Sequence, residues 1–108
     1  SDVYKRQVKM RSFIEQERNW MELELEKAGI EYIPSAANYM LLFSPYDLFS
    51  LLQEESILIR DCQNYRGLEK GYYRIAIKQH EENKRLLAAL KKIYQKGQEE
   101  TGTWRNRL

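Results

Sequence analysis

Two short runs rich in β-branched and aromatic residues, ILIR at 57–60 and YYRIAI at 72–77, each carry one arginine in an otherwise apolar setting. This pair constrains the chain more than any other feature. A strand that reads as core buries an unpaired guanidinium only at heavy cost. Arg60 and Arg74 therefore need either carboxylate partners or a place on the wall of a cleft. The connecting loop holds Gly67 and Gly71, so the runs read as neighbouring strands. If they pair antiparallel, the 14-residue separation brings both guanidinium groups to one edge of a sheet.

Side chains alternate along a strand, which sorts the second run into two faces. Tyr73, Ile75 and Ile77 suit a helix-covered core, whereas Tyr72, Arg74 and Ala76 suit a cleft. A guanidinium donates two parallel hydrogen bonds to a carboxylate or phosphate and stays charged at any working pH. Two such groups suggest an anion site. The residues alone leave a second reading open, in which Arg74 is ion-paired with Asp61, Glu69 or a more distant carboxylate, and Arg60 with the adjacent Asp61.

The rest of the chain supplies a platform. Val8–Ala28 reads as an amphipathic helix with Met10, Phe13, Ile14, Met21, Leu25 and Ala28 inward and Glu15, Glu22 and Glu26 outward. Gly29 stops it and Pro34 keeps the following chain extended. Trp20 and Leu23 fall off the stripe, as expected of a second contact surface. Ala37–Phe43 is a strand apolar on both faces and is expected to be covered on both. A short helix follows from about Tyr46 to Glu54, capped by Ser44 and Pro45, with Leu48, Leu51 and Leu52 inward. Ile57–Arg60 and Tyr72–Ile77 are the next strands. The last helix spans about His80 to Tyr94, burying Leu86, Leu87, Leu90 and Ile93. The order α-β-α-β-β-α predicts an α/β fold: one small mixed or antiparallel sheet of about three strands with helices packed on it.

Three segments are expected. Residues 1–7, SDVYKRQ, resemble the translated end of a sequencing adapter. With no initiator methionine, the frame reads as part of a longer one. Residues 8–96 form the domain, and 97–108 a polar tail without periodicity, in which Trp104 offers a further contact.

Charge and composition exclude several function classes. The net charge is +2, but Val8 to Leu90 carries −2, so the folded part lacks the basic stripe of a nucleic-acid binder. One cysteine, Cys62, rules out an internal disulfide and fits a reducing, cytoplasmic setting. With one histidine, His80, expected to be solvated at a helix start, no protein-built zinc site is expected. Cys62 reads as a buried or incidental thiol. Asn38 either bonds backbone or lines a cleft. No catalytic set, phosphate-binding glycine loop or membrane span is visible.

These residues and motifs carry a resemblance. Pro34, Ser35, Ala37, Asn38 and Tyr39 follow a long helix in a Pro-Ser-x-Ala-Asn-aromatic pattern. Ile-Arg-Asp at 59–61, Gly-Leu at 67–68, Tyr-Arg-Ile at 73–75 and Glu-Glu-Asn-x-x-Leu-Leu-x-Ala-Leu at 81–90 complete it. From about Phe13 to Leu90 the chain resembles the C-terminal small domain of fold-type I, pyridoxal-phosphate-dependent aminotransferases of the class I/II superfamily. The resemblance implies that Arg74 binds the substrate α-carboxylate and Arg60 the phosphate of a phosphorylated amino acid. It also implies that pyridoxal 5'-phosphate and its Schiff-base lysine belong to a large domain beyond this chain, so that this chain alone is inactive and the complete protein is a homodimer. Two branches remain open. The run of Cys62, Asn64, Tyr65, Gly67 and Leu68 is more similar to the threonine-phosphate decarboxylases of cobalamin biosynthesis than to the histidinol-phosphate aminotransferases. Gln63 and the Lys78-Gln79-His80 run depart from the common pattern. Outside this family, a free-standing, non-catalytic α/β binding module, with its arginines in structural salt bridges and Trp20, Leu23 and Trp104 as partner surface, remains open.

Overall fold

The computed structural model describes residues 2–34, 38–62 and 71–106. Readings that involve Ser35, Ala37, Gln63, Asn64, Tyr65, Gly67, Leu68 or Glu69, or the side chain of Trp104, lie outside the described residues. Helix α1 (Asp2–Lys27) starts six residues before the expected Val8, since nothing in that segment breaks a helix. Its second half is the amphipathic part: Met21 and Leu25 are fully buried, while Met10 stands 65% exposed, contrary to its place in the expected stripe. Residues 3–12 are all exposed, so the buried stripe of α1 begins only beyond them. Gly29, at φ 74°, ends α1, and Ile30 N–H bonds back to the Leu25 carbonyl at 2.9 Å.

Four strands follow, one more than expected. β1 (Glu31–Pro34), β2 (Tyr39–Phe43), β3 (Arg60–Asp61) and β4 (Tyr72–Ala76) form one antiparallel sheet in the order β1-β2-β4-β3. The missed strand is β1, which Pro34 had suggested was only extended chain; proline is tolerated there because β1 is an edge strand. The expected strand over Ile57–Arg60 shortens to Arg60–Asp61, with Ile57–Ile59 outside the ladder. Between β2 and β3 lies α2 (Leu48–Gln53). Its N-cap is Asp47, whose carboxylate accepts from Ser50 N–H at 3.3 Å, in place of the expected Ser44. Ser44 is instead buried and accepts a hydrogen bond from the Tyr94 hydroxyl at 2.8 Å.

The helices cover one face of the sheet. Met40, Leu42, Tyr73 and Ile75 point into a single core with Met21, Leu25, Leu48, Leu52, Leu87 and Leu90. The other face carries Tyr39, Leu41, Phe43, Tyr72, Arg74 and Ala76, half-buried to exposed. The expectation that β2 is covered on both faces is therefore not met among the described residues, where Phe43 is 39% exposed. Helix α3 (His80–Asn106) continues well beyond the expected end near Tyr94. Gly97 does not stop it. A Cβ at that position would collide with the Tyr46 ring.

Candidate functional site

In the antiparallel pair of β3 and β4, Arg60 stands directly opposite Arg74 and Asp61 opposite Tyr73. Directly opposite residues emerge on one face with Cβ atoms about 4.5–5.5 Å apart. The two guanidinium groups therefore originate side by side at the β3 edge of the sheet. Like charges so placed are destabilising unless something negative lies between or beside them. Arg74 is half-buried, and its Cζ lies 5.0 Å from the centre of the Tyr39 ring, a cation–π contact that steadies the guanidinium without using its donors. Among the described residues no ion pair reaches Arg74. Arg60 and Asp61 each have contacts with neighbours.

A cleft of about 540 Å³ opens beside this pair. Its polar lining is Arg60, Asp61, Arg74, Lys78, Glu82 and Asn83, and Phe49, Ile57, Ile59 and Leu86 contribute apolar wall. The cleft exists because β3 is so short. Ser56 adopts φ 62° after α2, and Ile57 N–H bonds to the Leu52 carbonyl at 2.9 Å, which carries Ile57–Ile59 away from β4. Past Arg74, Ile75 and Ala76 thus have no β3 partner, and the space between strand and helices stays open.

Cys62 ends β3, its N–H bonded to the Tyr72 carbonyl at 2.9 Å and its thiol fully buried. Burial pushes the thiol pKa up, and the nearby positive charge of Arg74 opposes this only in part. It is a structural thiol, as the sequence indicated. Asn38 sits in the turn before β2, where its carbonyl accepts from Ile77 N–H at 2.8 Å.

The sequence reading missed a buried polar cluster beside the cleft. The Asn83 amide, 1% exposed, accepts from Lys78 N–H at 2.9 Å through its oxygen. Its nitrogen donates to the Lys78 carbonyl and to Glu17 Oε1, each at 2.9 Å. The Glu17 carboxylate also meets His80 Nδ1 at 2.9 Å, and Trp20 packs on the His80 ring with centroids 4.7 Å apart. His80 is therefore paired and half-covered, not simply solvated, and Trp20 packs inward, while Leu23 does stay 55% exposed. A signal was available. Glu17 continues the 13, 17, 21, 25 row of α1, and Asn83 stands three and four residues before Leu86 and Leu87 on the buried stripe of α3. Polar residues on a core stripe mark a satisfied buried network.

Comparison with known proteins gives a consistent result. A model described as aminotransferase class I and II matches residues 2–90. The threonine-phosphate decarboxylase of Salmonella typhimurium is 48% identical over 63 residues, which is 56% of this chain and 17% of that protein. Among solved structures, the histidinol-phosphate aminotransferase from Clostridium acetobutylicum superposes with a TM-score of 0.71 at 34% identity, covering 77% of this chain and 27% of that one. A decarboxylase from Sulfurospirillum multivorans gives 0.77 at 29% identity over 87% of this chain and 28% of that one. The chain spans only 17–28% of the length of these proteins.

Proposed function

The chain belongs to the aminotransferase class I and II family, whose enzymes depend on pyridoxal phosphate, and on that premise we propose that it is the substrate-binding small domain of a cytoplasmic enzyme acting on a phosphorylated amino acid. The substrate is L-threonine O-3-phosphate, and the reaction its decarboxylation in cobalamin biosynthesis. Arg74 takes the α-carboxylate and Arg60 the phosphate. Residues 8–96 are the core of the domain, and 97–108 form a C-terminal extension. The supporting observation is the direct cross-strand pairing of Arg60 with Arg74 at the mouth of one cleft. Two cations held side by side without an ion pair to Arg74 among the described residues make a site pre-formed for an anion.

The described residues do not fit the cofactor itself. The lysine lining the cleft, Lys78, is 57% exposed and 3.9 Å from Glu82, unlike the desolvated lysine that Schiff-base chemistry uses. On this reading a large domain of the same polypeptide holds the cofactor, the complete enzyme is a homodimer, and this chain contributes binding and orientation. Bound at two ends, the substrate has few orientations left, and which bond faces the cofactor selects the reaction.

Replacement of Arg74 by alanine in the complete enzyme tests the assignment. The lost charge-assisted contact corresponds to about 2–5 kcal/mol, so kcat/KM for threonine phosphate falls by at least about thirtyfold. Unchanged kinetics would refute the assignment. The likeness to the Clostridium acetobutylicum structure supports a second reading, histidinol-phosphate aminotransferase. Assay of both substrates side by side separates the two.

A further inference from the structure

Lys78 is the cation of the cleft that the two-arginine reading leaves without a role. It lies two residues beyond the end of β4, and all three cations line one cleft. Its backbone is fixed at both ends: Asn83 accepts from Lys78 N–H and donates to Lys78 O, each at 2.9 Å. Asn83 is 1% exposed and is itself tied to the buried Glu17 carboxylate at 2.9 Å. The clamp acts on the main chain and fixes where the Lys78 side chain starts. Its ion-pair partner among the described residues is Glu82 at 3.9 Å, with both side chains more than half exposed, a weak contact that an incoming anion displaces.

We propose that Lys78 is the third cation of this anion site and contacts the phosphate of the substrate, selecting phosphorylated over unphosphorylated amino acids. The inference rests on the function proposed above and deepens it. The charge balance is its reason. A carboxylate contributes −1 and a phosphomonoester about −1.5 to −2 near neutral pH. Asp61 and Glu82 also line the cleft, so two arginines leave part of that charge unmatched, and Lys78 adds positive charge on the same wall. Asn83 and Glu17 act as positioning residues by holding the Lys78 backbone.

The test is calorimetric titration of the complete polypeptide, freed of cofactor so that no turnover occurs, with O-phospho-L-threonine and with L-threonine. Lys78→Gln weakens phosphothreonine binding about fivefold and leaves threonine binding unchanged. Lys78→Arg retains the affinity within about twofold, and Glu82→Gln, which removes the competing carboxylate, raises it about twofold. Both positions are more than half exposed, so the variants keep the fold. If Lys78→Gln binds phosphothreonine as the wild type does while Arg74→Ala does not, the inference is overturned and the proposed function stands. If Arg74→Ala is also without effect, the function reading fails and takes the Lys78 role with it.

Discussion

Gly71 shows how one residue conditions the entry to β4. It opens β4 at φ 106°, its carbonyl accepts from Ser44 N–H at 2.9 Å, and a Cβ there would stand 3.2 Å from both the Phe43 ring and the Ser44 carbonyl. Gly71→Ala therefore pays for both strain and crowding. We expect a loss of about 1–3 kcal/mol in urea denaturation, and a variant within about 0.3 kcal/mol of wild type would contradict this. The identity of such a residue is visible in the sequence, but its φ is not. The same holds for Arg74: its type and parity were legible, and the Tyr39 ring beneath it was not, because Tyr39 lies on a strand 35 residues earlier.

At the scale of elements, the loop between β4 and α3 is held by side chains from two helices. Asn83 serves Lys78 on one side and Glu17 of α1 on the other. Asn83→Ala removes all three bonds and leaves a buried carboxylate short of a donor, so thermal or urea unfolding should show about 2–3 kcal/mol of destabilisation. A change below about 0.5 kcal/mol would mean that water replaces the amide without loss. Helices and strands were legible as periods, and their ends were less so. The α2 cap moved to Asp47, and α3 ran through Gly97, because propensity at a boundary is decided by packing against neighbours such as Tyr46.

Across the whole molecule, α1 and α3 are joined by a bridge from Glu24 to Lys91 at 2.6 Å. The Lys91 hydrogen bond, the largest cause, holds the Glu24 carboxyl below its ordinary 4.5. The sign follows: the bridge contributes fully above that value and its contribution is lost as pH falls through the lowered one. The stability difference between wild type and Glu24→Gln should thus be constant from neutral pH to about 4.5 and shrink below it. A difference independent of pH down to the acid transition would rule the bridge out as its source. What the sequence by itself determined was local and periodic: helical stripes, strand parity, the arginine on the cleft face of β4, the glycine that ends α1. Only the tertiary structure decided the register that sets Arg60 against Arg74, the early end of β3 that opens the cleft, and the burial of Glu17 with Asn83. The physical reason is separation. Periodicity reports which way a side chain points from its own backbone, whereas register and burial depend on segments tens of residues away, which meet only when the chain is packed.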